Sequence, residues 1–190
     1  LAAAQSSKSG TIGFVGGVDT ELIKKFEAGY TAGAEAVNPD IKVEVKYIST
    51  GTDFSGFSDP AAGETTAAGL YEAGADVVYH AAGGSGGGVF KAAAAADRLA
   101  IGVDSNQYLN ASEEEQACIL TSMLKRVDVS VYSTIEDFVN GESKGGEVSA
   151  FSLENEGIAY ATSGGQLVDT DQLDEFKQQI IDGDIEVPTE

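Results

Sequence analysis

The chain is poor in the residues that most catalysis and covalent cross-linking require. Among 190 residues there is one cysteine (Cys118), one histidine (His80), no tryptophan and three prolines. A single cysteine excludes an internal disulfide and a cysteine-based zinc centre. A single histidine leaves little room for histidine-based metal or triad chemistry. Basic residues are also scarce, with 11 Lys and Arg against 31 Asp and Glu and a net charge of −20. That balance argues against a nucleic-acid or anionic-lipid surface, because both need a basic patch. No apolar run approaches the roughly 20 residues of a membrane span. What remains is a chain 42% hydrophobic with 24 glycines, long enough for one ordinary domain with a substantial core.

The acidic excess has two readings, adaptation to high salt or an ordinary acidic extracytoplasmic protein. Either way the charges repel one another over a Debye length of about 10 Å at 0.1 M salt, so folding is expected to improve as salt rises. A chain that opens on Leu1, with no initiator Met and no secretory-signal pattern, reads as a processed or truncated piece.

Short apolar runs alternate with helical patterns, as in a parallel α/β sheet. Thr11 to Val15 predicts a buried strand, and Asp19 the N-cap of a helix with Leu22, Ile23, Phe26 and Tyr30 on its apolar face. Gly29 and Gly33 would let that helix lie close on the sheet. Ile41 to Tyr47 alternates apolar with charged residues, the mark of an edge strand. Asp59-Pro60 opens a second helix and Gly74 ends it. Further strands are expected over 76–81, 99–103, 118–121, 147–153 and 158–161. Helices are expected over 89–96, over 127–139 with Val131, Ile135 and Phe138 inward, and from about Asp171 to Gly183. An edge strand second in sequence fits the doubly wound order 2-1-3-4-5, with helices on both faces.

In such sheets ligands bind beyond the carboxyl ends of the strands. The candidates there are Gly16 and Gly17, Phe54 and Phe57, His80, the cluster Gly83 to Gly88, Asp104, and Lys125. The cluster fails as a Walker loop, since Val89 stands where Lys is required, and as a dinucleotide fingerprint, since its glycines miss the offsets. It still offers backbone amides and close approach, either as a ligand-lining turn or as a turn for helix packing. Asp104 can accept two hydrogen bonds, which suits a vicinal diol such as ribose, or can simply cap a turn. Lys125 could reach ligand oxygens or pair with Asp104. Phe54 and Phe57 lie in a Gly/Ser-rich loop with little core to join, so they read as a stacking platform or, alternatively, one of them as a loop anchor packed onto the sheet. His80 lacks a neighbouring nucleophile with an orienting acid and reads as structure. Cys118 reads as buried filler, Asp169, Asp171 and Asp174 as helix capping, and Glu113 to Glu115 as a solvated run. No active site, metal site or cofactor site assembles from these residues.

The segments GTIGFVGGVDTELIKKFEAGYTAGAEAVNPDIKVEVKYI, ADVVYHAAGGSGGGVFKAA, IGVDSNQ and IIDGDIEVP, in that order, resemble the basic membrane protein family, the PnrA-like nucleoside-binding lipoproteins of ABC importers. The resemblance implies one lobe of a type I periplasmic-binding fold, with residues 1–153 forming the C-terminal lobe. Residues 154–190 would cross the hinge and belong to, or pack on, an N-terminal lobe outside this chain. It also implies a nucleoside ligand, a purine favoured, held by Phe57 (or Phe54) on the base, Gly83 in the cleft, Asp104 on the ribose hydroxyls and Lys125 on the sugar. The implied partner is the ABC permease, and the implied location extracytoplasmic and membrane-anchored through lipid. The family's usual IGVDSDQ reads IGVDSNQ here. A homodimer is the alternative means of covering the surface that the other lobe would cover. The competing functions are the ligand-sensing module of a regulator with the same fold and a nucleoside-cleaving enzyme, the latter poorly supplied because Asp104 stands alone.

Overall fold

A computed structural model describes residues 1–142, 145–164 and 166–189. Among them, six strands form one sheet: β1 (Thr11–Val18), β2 (Lys42–Ser49), β3 (Val77–Ala81), β4 (Leu99–Gly102), β5 (Ile119–Lys125) and β6 (Ile158–Tyr160). Their order is β2-β1-β3-β4-β5-β6. The first five are parallel, and β6 runs antiparallel to β5, pairing Met123 with Tyr160 and Lys125 with Ile158. The doubly wound order expected from the sequence is therefore present, with one antiparallel strand added at the edge.

Among the described residues, seven α-helices accompany the sheet: α1 (Ala2–Ser6), α2 (Glu21–Val37), α3 (Pro60–Glu72), α4 (Gly86–Ala96), α5 (Glu113–Gln116), α6 (Val127–Val139) and α7 (Thr170–Ile181). Because successive side chains on a strand point to opposite faces, β1 feeds two cores. Ile12 and Phe14 meet Tyr30 and Ala34 of α2 and Ala3 and Ala4 of α1 on one face. Val15 meets Leu70 and Tyr71 of α3 and Val89 and Phe90 of α4 on the other. Phe14 is wholly buried, a burial worth about 1.5–3 kcal/mol.

Two glycines fix how α3 and α4 pack. A β-carbon on Gly63 would lie 2.2 Å from the Ser85 carbonyl oxygen, and one on Gly88 would lie 1.9 Å from the Pro60 carbonyl oxygen. The N-terminal turns of both helices are thus in backbone contact. This close approach also explains why α4 begins at Gly86 rather than at Val89 as expected: the glycines themselves form its first turn.

Several expectations are corrected. The N-cap of α2 is Thr20, whose hydroxyl accepts from the Ile23 amide, while Asp19 accepts from the Gly51 amide at 2.6 Å. Gly29 and Gly33 face Val187 and Leu1 rather than the sheet. Residues 147–153 form no strand, because the place beside β5 is taken by β6, and Val148 stands 98% exposed. Val131, Ile135 and Phe138 of α6 are exposed, Phe138 by 71%. Their helical spacing is real, but residues 145–151 flank that face only across an open groove and leave it exposed. Glu113 to Glu115 are more than a solvated run, since Ser112 and Glu115 close a reciprocal capping box around α5.

Candidate functional site

Parallel strands finish along one rim of the sheet, so the residues just after β1, β3, β4 and β5 share an edge. At the end of β1, Gly16 and Gly17 are buried and each seats an aromatic ring. A β-carbon on Gly16 would lie 2.4 Å from the Tyr47 ring, and one on Gly17 would lie 2.4 Å from the Phe57 ring. Tyr47 donates its hydroxyl to Glu27 at 2.5 Å. Phe57 belongs to a 3-10 turn, Phe54–Phe57, whose first amides are capped by Asp53. Ser49 at the end of β2 holds this turn by donating to the Asp53 carbonyl at 2.5 Å.

The two rings of the turn lie nearly parallel, 6.4 Å apart and inclined by 23°. Phe57 is half-buried on Gly17, whereas Phe54 is 60% exposed. Gly83, after β3, is exposed and adopts φ +54°, and a β-carbon there would lie 3.0 Å from the Phe57 carbonyl oxygen. The structure therefore brings Gly17, Phe54, Phe57 and Gly83 together as one open aromatic shelf.

The second group lies at the ends of β4 and β5. Lys125 Nζ stands 2.8 Å from the Asp104 carboxylate, with both side chains about half exposed. The Lys125 amide also donates to the Asp104 carbonyl at 2.9 Å. Asp104 has φ +66°, a left-handed conformation that Asp and Asn tolerate better than most residues. Its loop is braced from below by Gln107, which accepts from the Val103 amide at 2.7 Å and donates its own amide to the Ser122 hydroxyl at 3.2 Å. Gln107 fits there because Gly102 has no side chain: a β-carbon would lie 2.6 Å from Gln107 Oε1. Asn106, the departure from the family pattern, donates to the Ser163 hydroxyl at 2.7 Å and so ties this loop to the segment after β6.

His80 lies beneath the rim. It is wholly buried, packed edge-on to Phe90 and directly under Gly86. Neither ring nitrogen makes a hydrogen bond of ordinary geometry, although Gln107 lies nearby. Burial pushes the imidazole down to about 4, against the opposing influence of Gln107 and Asp104. A neutral, inaccessible ring of this kind packs rather than reacts. Cys118 is likewise buried, which pushes its thiol up to about 11. Among the described residues no cluster of His, Cys, Asp and Glu could hold a metal ion, and no helix is long and apolar enough to cross a membrane. Two grooves lie away from the rim, one between α6 and residues 145–151 and one between α2 and Pro188–Thr189.

The rim thus carries an aromatic shelf at the ends of β1 and β3 and an ion-paired, half-exposed carboxylate and ammonium at the ends of β4 and β5, groups that can stack on a flat ring and hydrogen-bond hydroxyls. The family model described as "ABC transporter substrate-binding protein PnrA-like" matches residues 1–190. The chain belongs to that family.

Its PnrA-like relatives include the ABC transporter nucleoside-binding protein BmpA of Lactococcus lactis subsp. cremoris, 37% identical over all of this chain and 56% of that protein. The chain spans about half the length of such relatives. Among solved structures, an ABC transporter solute-binding protein from Conexibacter woesei superposes with a TM-score of 0.79 at 25% identity, over 99% of this chain and 60% of that one. One from Aeropyrum pernix gives 0.74 at 27% identity, over 95% and 58%. The α/β architecture of this PnrA-like chain is that of ABC solute-binding proteins, as the resemblance implied.

Sequence reasoning missed Ser49, Ser85, Gln107 and Ser122, the polar residues beneath the rim. One of them carried a signal: Ser85 is the single side chain in the run Gly83 to Gly88.

Proposed function

We propose that this chain supplies one wall of a nucleoside-binding cleft in an extracytoplasmic solute-binding protein that delivers its ligand to an ABC permease. What supports this reading is the strand order, in which the parallel strands leading to the Phe54–Phe57 shelf and to the Asp104–Lys125 pair end along the same rim of the sheet. The shelf stacks the base, a contact worth about 1–3 kcal/mol. Asp104 accepts from two ribose hydroxyls, and Lys125 turns from Asp104 towards the sugar. Gly83 lets the ligand approach the backbone. Gly16 and Gly17 act through the rings they seat. A purine is favoured, since a bicyclic base offers more surface for stacking on an exposed ring. The name of the Lactococcus relative, a nucleoside-binding protein, points the same way.

The opposite wall comes from a second lobe outside this chain, with residues 154–190 joining or packing on it. The exposed apolar face of α6 is accounted for by that lobe. The protein binds its nucleoside without cleaving it and is tethered to the membrane by lipid. The test is to incubate the full-length protein with inosine or adenosine. A thermal shift with the nucleoside recovered intact supports the reading. Release of free base, or no shift with any nucleoside, overturns it.

A further inference from the structure

Ser85 stands at the N-cap position of α4, where a serine hydroxyl ordinarily accepts from an amide of the helix's first turn. Here it makes no such cap. The side chain is wholly buried, and its hydroxyl is turned the other way. It donates to the Gly56 carbonyl at 2.8 Å and accepts from the Asp59 amide at 2.9 Å. Those two backbone groups bracket Phe57 on both sides. Ser85 is itself helical (φ −66°, ψ −19°), the last residue of the 3-10 turn Gly83–Ser85 that leads into α4, so its hydroxyl is not engaged in capping and stitches the aromatic turn to the glycine turn.

The surroundings leave that stitch little slack. A β-carbon on Gly56 would lie 2.0 Å from the Gly17 carbonyl oxygen, so the turn already rests on the end of β1. On its far side the turn runs straight into α3, whose first residues touch α4 backbone to backbone at Gly63 and Gly88. The turn is therefore supported by β1 below and by the two helices beyond, and Ser85 is the side chain that pins its centre. Buried hydroxyls of this kind are costly to leave unpaired, so both partners hold the geometry.

From this geometry we infer that Ser85 is a positioning residue for ligand binding: its hydroxyl sets the height and tilt of the Phe54–Phe57 shelf relative to the glycine turn. Ser85 does not touch the ligand; it acts through Phe57. The inference rests on the nucleoside reading of the rim for its consequence, but the latch itself is independent of any ligand.

The test is Ser85→Ala in the full-length protein, read three ways. Nucleoside affinity should fall about tenfold, as expected for a buried hydrogen-bonded unit. In double-mutant cycles the loss should overlap with that of Phe57→Ala and add independently to that of Asp104→Ala. Amide exchange should accelerate in residues 53–59 while β1 and β3 remain protected. Unchanged affinity, or a loss that adds fully to Phe57→Ala, overturns the inference. Should the wild-type protein bind no nucleoside, the functional reading falls, and the latch is then judged by exchange alone: faster exchange confined to residues 53–59 sustains it, and unchanged exchange refutes it.

Discussion

Asp104 and Lys125 are joined twice, through their side chains at 2.8 Å and through the Lys125 amide and Asp104 carbonyl at 2.9 Å. The backbone bond fixes where the loop after β4 sits. The exposed ion pair adds little to stability, because water and salt compete with it. Charge and backbone roles can therefore be separated. Asp104→Asn keeps a residue suited to φ +66° and should leave the urea midpoint nearly unchanged. Nucleoside affinity should fall by about 1.5–3 kcal/mol, the worth of hydrogen bonds to a charged group. Isothermal titration checks this, and an unaltered dissociation constant would remove Asp104 from the site.

His80 predicts an acid limb of stability. Its folded value, about 4, lies below the ordinary value of 6.5, so the unfolded chain binds the proton more readily. Stability from keeping the ring neutral is present above the unfolded value and is lost as pH falls towards the folded one. Between about pH 7 and pH 5, where most carboxylates stay ionised, the loss should be about 2 kcal/mol. Because His80 is the sole histidine, His80→Gln should flatten urea stability across that window. A slope that survives the substitution would assign it to other groups.

Three glycine-to-alanine substitutions should differ in sign and size. Gly87 has nothing within 4 Å of a built β-carbon and lies in α4, so alanine there should stabilise by about 0.5–1 kcal/mol. Gly17→Ala would meet the Phe57 ring at 2.4 Å, which can yield by lifting, at about 1–3 kcal/mol. Gly88→Ala would meet the Pro60 carbonyl oxygen at 1.9 Å, where the backbone of α3 must move. It should be the most damaging of the three. Urea unfolding ranks them, and equal costs for Gly17 and Gly88 would contradict the packing described.

Net charge predicts a salt response. At −20, self-repulsion is screened as ionic strength rises. The thermal midpoint should climb by about 3 °C or more between dilute buffer and molar KCl, on the order of 1 kcal/mol for a domain of this size. A flat midpoint would mean that the surface carboxylates are too well separated to matter.

Much of the rim was legible in the linear chain because parallel α/β order converts sequence position into place. Once 11–15, 76–81 and 99–103 are recognised as strands, the residues after them must share an edge, and Gly17, Gly83 and Asp104 follow. Ser85 was not legible in its role, since the sequence shows only a serine inside a glycine turn, and the Gly56 and Asp59 backbone groups that engage its hydroxyl lie 29 and 26 residues away. Nor could the pattern separate Phe54 from Phe57, as both are phenylalanines in one glycine-rich turn. The packing of Phe57 on Gly17 distinguishes them.

The amino-acid order by itself determined the succession of the five parallel strands, the edge character of β2, the helix starts at Pro60 and Thr170 to within a residue or so, and the scarcity of catalytic groups. These follow from local periodicity, capping chemistry and composition, which need no knowledge of distant neighbours. Tertiary structure alone decided which apolar stripes are covered: α2 buries Ile23 and Tyr30, while α6, with an equally regular stripe, leaves Phe138 in solvent. Helical spacing states that a face is apolar, but burial requires a second surface to meet it. The same holds for residues 147–153, whose strand-like composition finds the place beside β5 taken by Ile158–Tyr160.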